Sequence, residues 1–108
     1  MAQTFTLNDL EKRVQARAQA SADVSYTRKL LDRGVAHCAK KLGEEAVEAV
    51  IEGVRGDRAA LVGESADLLY HLFVLWAATG LSPADIAAEL ARREGTSGIA
   101  EKKARKPL

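Results

Sequence analysis

The spacing of apolar residues along the chain predicts helices almost throughout. After Thr6, a candidate N-cap, apolar residues recur at steps of three and four, which predicts a first helix over residues 7 to about 20. Its apolar positions are Leu7, Leu10, Val14 and Ala18. Ser25 is placed to cap a short second helix, which Gly34 ends or bends. No segment alternates in the manner of a β-strand, so the pattern favours an all-helical fold.

Two longer helices are predicted in the middle of the chain. The third covers residues 35 to about 54, and its apolar face consists of Val35, Cys38, Ala39, Leu42, Ala46 and Val50. After a turn at Arg55–Asp57, a fourth helix extends to Thr79. This helix is apolar almost all round, which predicts neighbours on more than one side and a central position in the bundle.

Ser82 and Pro83 mark the start of a last helix, because serine caps helices and proline is favoured at the first helical position. Beyond Gly95 the chain is small, polar and basic, with little that can anchor to a core. We therefore expect an all-α helical bundle of about five helices in residues 1–95. Residues 96–108 are expected to form a basic, mobile C-terminal tail.

Composition narrows the class of protein. The 16 basic and 15 acidic residues nearly balance, which argues against a partner such as nucleic acid or an anionic membrane. Cys38 is the only cysteine and no signal peptide is evident, so we expect a cytoplasmic protein without a disulfide. No apolar stretch approaches the roughly 20 residues that span a bilayer. A chain of 108 residues buries a modest part of its surface, which favours self-association.

Two predicted helices each carry a pair of acids three residues apart, a spacing that places both carboxylates on one helical face. The pairs are Glu45 with Glu48, and Glu64 with Asp67. Two bare carboxylates about 4 Å apart repel by roughly 4 kcal/mol at an effective dielectric near 20, and a divalent cation removes that repulsion. Carboxylate oxygens suit Mg²⁺, which also binds substrate phosphates. The pairs therefore indicate phosphate chemistry.

Each of these features also has a purely structural interpretation. The acids of the third helix can form a solvated face paired with Lys40 and Lys41, and for that helix alone this interpretation is favoured. Glu64 and Asp67 can instead pair with an arginine, although two acids on one apolar helix favour a metal. His71, one turn beyond Asp67, is in such a place more often a core residue than a ligand, and is left outside the site.

Four segments carry a resemblance to a known family. They are Ser25–Thr27, Lys40–Glu48, Glu64–His71 and Arg93–Gly98. Their order and spacing resemble the phosphoribosyl-ATP pyrophosphatases, a branch of the all-α nucleoside triphosphate pyrophosphohydrolases. The acid pairs mark the superfamily, whereas the Ser-Tyr-Thr segment, the Lys-Lys-x-Gly-Glu-Glu run and the C-terminal Gly-x-Ser-Gly segment point to this branch. The resemblance extends from Leu7 to about Arg105.

The resemblance implies a homodimer that hydrolyses phosphoribosyl-ATP to phosphoribosyl-AMP and diphosphate, the second step of histidine biosynthesis. It implies that residues 1–95 are the catalytic domain and that Mg²⁺ is held by Glu45, Glu48, Glu64 and Asp67. It implies that Glu44 assists catalysis and that the nucleotide substrate contacts Lys40, Lys41, Tyr26, Thr27, Ser97 and Gly98. The tail, with Lys102, can close over a polyphosphate or can be a simple solubilising end.

Two other functions remain open at the level of sequence. A housekeeping pyrophosphohydrolase of non-standard nucleoside triphosphates would use the same acids with a different base pocket. A non-catalytic helical interaction module would bind a basic partner through its acidic stripe and would need no metal. Hydrolysis of phosphoribosyl-ATP is favoured over both, because acid pairs recur on two helices together with the branch-specific segments.

Overall fold

The computed structural model describes residues 4–105, and every regular element in that range is a helix. The helices are α1 (Leu7–Ala18), α2 (Tyr26–Asp32), α3 (Val35–Arg55), α4 (Arg58–Thr79), α5 (Pro83–Arg92) and α6 (Gly98–Ala104). The all-α fold predicted from the sequence is confirmed, with α6 added to the expected five. This helix forms in the segment predicted to be a mobile tail. Its mobility stays a prediction, and residues 106–108 lie outside the described residues.

Side-chain caps fix where the first two helices begin. Thr6 and Asp9 form a reciprocal capping box at the start of α1, in which the Asp9 amide donates to Thr6 Oγ1 at 3.1 Å. Ser25 Oγ accepts from the Arg28 amide at 3.0 Å and donates to the Arg17 carbonyl at 2.7 Å. The second bond ties the start of α2 to the end of α1, so one buried hydroxyl sets the turn between them.

The helices α3 and α4 form a hairpin, and their contact is the most extensive one in the fold. Gly56 ends α3 in the left-handed conformation with φ of 76°, which glycine adopts without a Cβ clash. Asp57 then caps α4 by accepting from the Ala60 amide at 3.0 Å. A connection this short makes the two helices neighbours, so acids carried on both can meet.

The core lies where α1, α2, α3 and α4 meet. Its fully buried apolar residues are Val14, Leu30, Cys38, Phe73 and Val74. Burial of a valine, leucine or phenylalanine side chain contributes about 1.5–3 kcal/mol, so this small set holds the four helices together. Cys38 packs as a small apolar residue, as predicted, and its Sγ donates to the Leu30 carbonyl at 3.3 Å.

The longest helix, α4, is central, as its pattern predicts, and contacts α1, α2 and α3. Its 22 residues include an 18-residue stretch with a mean hydropathy of 1.2, which satisfies the length and composition criteria for a membrane span. The core helix of a soluble protein satisfies the same criteria. Because α4 also carries Glu64 and Asp67 and packs on three helices, we interpret it as the core helix of a soluble bundle.

The packing face of α3 is rotated relative to the sequence prediction. Of the predicted apolar face, Cys38 is buried, whereas Val35 and Val50 are exposed. The rotation carries Glu45 and Glu52 to the partly buried side of the helix. Hydrophobicity alone could not fix the rotation, because α3 has apolar residues on two sides. The exposed stripe consists of Val47, Val50, Ile51 and Val54.

Candidate metal and substrate site

Three carboxylates from two helices meet at one place. Glu45 and Glu48 come from α3 and Glu64 comes from α4, and ligand oxygens of the three lie within 4.8 Å of one another. The three-residue spacing brings both α3 acids to one side of that helix. The hairpin turn then brings Glu64 to face them. We call these three residues the acid cluster.

The acid cluster raises the pKa of two of its members above the ordinary value of 4.5. At Glu45 burial is the main cause, followed by the negative charge of Glu48. At Glu64 the contact with Glu48 is the main cause, followed by burial. Both effects disfavour the charged carboxylate, since neighbouring negative charges repel and buried ones lose hydration. A positive charge among the three acids would remove the repulsion.

Two oxygens of the acid cluster have no hydrogen-bond partner in the described part of the chain. They are Glu45 Oε2 and Glu64 Oε2, and both atoms are buried. An unpaired buried polar group costs about 1–3 kcal/mol, and more when it is charged, so such atoms call for a partner. Carboxylate oxygens are the ligands of hard divalent cations. The donor set therefore fits an ion of that kind.

Asp67 and Glu44 lie at the edge of the acid cluster. Asp67 is exposed and is not one of the three closest acids, although its charge helps to raise the pKa of Glu45 and Glu64. Glu44 pairs with Lys41 Nζ at 3.0 Å, which lowers the pKa of Glu44 and raises that of Lys41. Glu44 is thus a charged, lysine-paired group beside the cluster.

His71 adjoins the acid cluster, although the sequence interpretation left it outside the site. Its Nε2 lies 3.9 Å from Glu45 Oε1, and the residue is only 6% exposed. Burial, followed by the positive charge of Lys41, lowers the pKa of His71 and favours the neutral imidazole. The sequence did contain an indication that His71 belongs to the site. His71 lies one turn beyond Asp67, which places it on the acid-bearing side of α4.

The predicted Ser-Tyr-Thr segment forms a wall beside His71. Tyr26 is half exposed; its ring stacks on Tyr70 with centroids 6.4 Å apart and meets His71 edge-on at 6.2 Å. Thr27 is 1% exposed, and its Oγ1 shares a 2.5 Å hydrogen bond with the Tyr70 hydroxyl. Tyr26 therefore lies at the surface next to the cluster, while Thr27 lies in the core and holds Tyr70.

For the other predicted substrate contacts, the structure gives no direct contact with the acid cluster within residues 4–105. Lys40 is exposed on α3, one turn before Glu44. Ser97 caps α6 by accepting from the Ala100 amide at 3.1 Å, and Gly98 and Lys102 belong to that helix. Within residues 4–105, no hydrogen bond or ion pair joins Ser97, Gly98 or Lys102 to the acid cluster. Their contact with substrate stays a prediction.

A cavity of about 410 Å³ beside Tyr26 is rich in basic residues that the sequence interpretation did not select. It is lined by Tyr26, Lys29, Leu30, Arg33, His37 and Lys41. We call it the basic cavity. A signal was present in the sequence, because four of these residues recur at four-residue steps. The predicted helix break at Gly34 obscured it, since the repeat continues from one helix into the next.

The fold and the site together define a class. The bundle gathers carboxylates from two adjacent helices, and the matching family model places it among the all-α nucleoside triphosphate pyrophosphohydrolase folds. Within this class the chain belongs to the phosphoribosyl-ATP pyrophosphohydrolase family, whose model matches residues 7–94. That range includes α1 to α5 and every residue of the acid cluster.

Individual relatives are similar over nearly the whole chain. A phosphoribosyl-ATP pyrophosphatase from Azospirillum brasilense is 64% identical over 100 residues, which are 93% of this chain and 90% of that protein. Phosphoribosyl-ATP pyrophosphatase 1 from Bradyrhizobium diazoefficiens is 54% identical over 94% of this chain and 96% of its own length. A relative of the same name from Cereibacter sphaeroides is 60% identical over 92% of this chain and 96% of its length.

Proposed function

We propose that this protein hydrolyses phosphoribosyl-ATP to phosphoribosyl-AMP and diphosphate, the second step of histidine biosynthesis. Family membership and the names of relatives that match 93% and 94% of the chain support this substrate. The observation that supports this type of reaction is the acid cluster, in which buried oxygens of Glu45 and Glu64 lack a hydrogen-bond partner among the described residues. Carboxylates gathered in this way suit the handling of a phosphate chain with a divalent cation.

Magnesium is the proposed cofactor, held by Glu45, Glu48, Glu64 and Asp67. The oxygen donor set and the mutual repulsion of these acids support this choice. Asp67 is included because its charge acts on Glu45 and Glu64. When bound, Mg²⁺ supplies positive charge that offsets the negative charge of the phosphates as diphosphate leaves.

The remaining residues bring the substrate and water to the acid cluster. Lys40 and Lys41 provide positive charge on α3 that attracts the phosphate chain. Glu44, ionised beside Lys41, is placed to accept a hydrogen bond from the attacking water. The neutral His71 lies beside Glu45, with Nε2 3.9 Å from Oε1, and Tyr26 offers a half-exposed ring against which the nucleotide can pack.

We also propose that the protein is a homodimer, because α3 and α4 each expose several apolar side chains, which we call together the α3–α4 apolar face. This α3–α4 apolar face consists of Val47, Val50, Ile51, Val54, Val62 and Leu69. Val54 is 84% exposed and Val62 is 71% exposed. An apolar face of this kind on a soluble protein marks an interaction site, and a second copy of the same face would cover it.

The proposed location is the cytoplasm, which agrees with a free, buried Cys38 and with a nucleotide substrate. In the C-terminal segment, we propose that Ser97, Gly98 and Lys102 close over the phosphates once substrate is bound. Ser97, Gly98 and Lys102 are themselves exposed, which leaves them accessible to a ligand.

The test is to incubate the purified protein with phosphoribosyl-ATP and to measure diphosphate release with Mg²⁺ and with a chelator. We expect turnover only with the cation. Glu64→Gln and Asp67→Asn should each lower turnover, by roughly 100-fold or more for Glu64→Gln, because a charged metal ligand is lost. Glu52→Gln is the matched control, since Glu52 lies on α3 and pairs with Arg55 at 3.3 Å.

Three results would contradict the proposal in different ways. Faster hydrolysis of non-standard nucleoside triphosphates than of phosphoribosyl-ATP would indicate a housekeeping enzyme. Absence of diphosphate release with every nucleotide would favour an interaction module. Wild-type turnover in both Glu64→Gln and Asp67→Asn would show that the acid cluster is not the reaction site.

A further inference from the structure

Two residues that line the basic cavity, Tyr26 and Lys41, are already assigned to the substrate, whereas Lys29, Arg33 and His37 have no part in the reaction described so far. The cavity contains Lys29, Arg33 and Lys41 and no acidic residue. Its volume of about 410 Å³ lies within the roughly 300–1,000 Å³ range of small-molecule sites. It therefore has the size and charge of an anion-binding site.

Other cavities in the described part of the chain have a different character. The cavity beside Trp76 combines one acid, Glu11, with one base, Arg28. A mainly apolar cavity on α4 has a single base, Arg58. The cavity along α5 contains two acids, Asp85 and Glu89, and one base, Arg93. None of these three cavities gathers several positive charges, as the basic cavity does.

Two of the three positive charges of the basic cavity, those of Lys29 and Arg33, have no counter-charge in the described part of the chain, whereas Lys41 pairs with Glu44 at 3.0 Å. Within residues 4–105, neither the Lys29 nor the Arg33 side chain forms an ion pair or a hydrogen bond with another residue. Burial lowers the pKa of His37, and the positive charges of Arg33, Lys41 and Lys40 lower it further. Cations gathered without counter-charges favour binding of a strong anion.

Two residues connect the basic cavity to the acid cluster. Lys41 lines the cavity, and its charge acts on Glu45. Tyr26 also lines the cavity and contacts His71, which in turn lies 3.9 Å from Glu45. Along α3, His37 precedes Glu45 by eight residues, or roughly 12 Å at 1.5 Å per residue. One ligand can therefore occupy both places at once.

Phosphoribosyl-ATP has two anionic ends, and this makes it suited to such a pair of sites. One end is the triphosphate, and the other is the 5′-phosphate of the additional ribosyl group, with the nucleoside between them. If the triphosphate lies at the acid cluster with its cation, the second phosphate needs its own positive site, because bare carboxylates repel it. ATP and other ordinary nucleoside triphosphates lack this second phosphate.

We propose that the basic cavity binds the ribosyl 5′-phosphate and that Arg33 and Lys29 thereby select phosphoribosyl-ATP over ordinary nucleoside triphosphates. This inference rests on the proposed substrate. Arginine presents a planar set of donors that matches two phosphate oxygens, and lysine adds a second positive charge. Arg33 and Lys29 thus determine specificity, while the acid cluster performs the reaction.

The test compares two ligands that differ by the phosphoribosyl group, phosphoribosyl-AMP and AMP. Their binding is measured by calorimetry at one fixed ionic strength for wild type, Arg33→Gln and Lys29→Gln. We expect each variant to weaken phosphoribosyl-AMP binding by roughly 10- to 100-fold, as for loss of a hydrogen bond between charged groups, and to leave AMP binding within about twofold. Arg33→Lys should recover part of the loss.

Steady-state kinetics with phosphoribosyl-ATP provide a second readout. Both variants should raise KM and leave kcat near the wild-type value, because the contact lies away from the reacting phosphorus. The matched controls are Arg13→Gln and Lys12→Gln on α1, which remove the same charges at positions that do not line the basic cavity. These controls should leave both ligands and KM unchanged.

Several outcomes would overturn this proposal. Equal weakening of AMP and phosphoribosyl-AMP would show that the cavity binds the part that they share, or acts only through general electrostatics. Unchanged phosphoribosyl-AMP binding in both variants would show that the second phosphate lies elsewhere. If wild type releases no diphosphate from phosphoribosyl-ATP, the proposed function fails, whereas wild-type turnover with unselective variants removes only the specificity assignment.

Discussion

At the residue scale, Glu48 is the side chain through which the acids of α3 and α4 interact. It contacts Glu45 on its own helix and Glu64 on the neighbouring helix, and it contributes to the raised pKa of both. Three carboxylates at this separation stabilise a bound cation and destabilise the protein without one. The acid cluster should therefore behave differently with and without divalent metal.

In metal-free protein, the repulsion within the acid cluster should appear in how the free energy of unfolding depends on pH. The folded state holds the protons of Glu45 and Glu64 more tightly than the unfolded chain does, where the pKa is near 4.5. Their stabilising contribution is thus complete below pH 4.5 and is lost as pH rises through the raised pKa values. Glu89 has the opposite effect, because neighbouring arginines lower its pKa to about 2, so its contribution is lost as pH falls.

Glu48→Gln isolates the contribution of the acid cluster. Removal of one negative charge should raise the free energy of unfolding relative to wild type, and by more at about pH 7.5 than at about pH 5. Urea unfolding with a chelator measures both values. Glu52→Gln, which removes an acid that already pairs with Arg55, should show no such gain. A destabilised Glu48→Gln at neutral pH would contradict the repulsion described here.

Thr27 provides a test of whether a predicted substrate contact is a packing residue. Its buried hydroxyl bonds with that of Tyr70, so Thr27→Val should destabilise the protein by about 1–3 kcal/mol in urea unfolding. The double variant with Tyr70→Phe should lose less than the sum of the single losses, since neither hydroxyl is then left unpaired. An unchanged KM would assign Thr27 to packing, and a raised KM would support the sequence prediction.

At the scale of helices, most helix boundaries could be predicted from the sequence, because capping residues close in sequence determine where a helix begins. Thr6 and Ser25 cap the helices that they were predicted to cap, and Asp57, in the predicted turn, caps α4. The rotation of α3 was not predictable, because apolar residues on two of its sides gave no preference for the inner one. His71 and the basic cavity were missed for a related reason. His71 becomes a neighbour of Glu45, and the cavity residues of α2 become neighbours of those of α3, only when the helices pack together. The spacing of residues within one helix cannot predict such contacts.

Gly34, which connects α2 and α3, has a backbone conformation that residues other than glycine adopt only with strain. Its φ of 95° and ψ of 171° are accessible to glycine and strained for other residues. Gly34→Ala should therefore destabilise the protein by about 1–3 kcal/mol, as measured by urea unfolding.

Gly53→Ala is the contrasting change within a helix. Gly53 lies inside α3, where an added Cβ meets no atom within 4 Å. Alanine should stabilise the helix by about 0.5–1 kcal/mol, because glycine loses more backbone freedom on folding. Equal effects of the two substitutions would show that the Gly34 conformation carries no special requirement.

At the scale of the whole molecule, the α3–α4 apolar face should determine the oligomeric state. Val50 is 64% exposed on that face, so Val50→Asp would leave the core of one protomer intact and place a charge in the interface. We expect sedimentation to show a dimer for wild type and a monomer for Val50→Asp. Val24→Asp is the control, because Val24 is 78% exposed in the loop between α1 and α2. A dimeric Val50→Asp would place the interface elsewhere.

The acid cluster lies on the two longest helices, whereas Tyr26 and Lys29 belong to the seven-residue α2 and Arg33 is its C-cap. Hydrolysis is thereby assigned to α3 and α4, and the choice of nucleotide to α2 and its C-cap. Exchange of residues 26–33 between relatives should therefore transfer a substrate preference while the acid cluster stays in place.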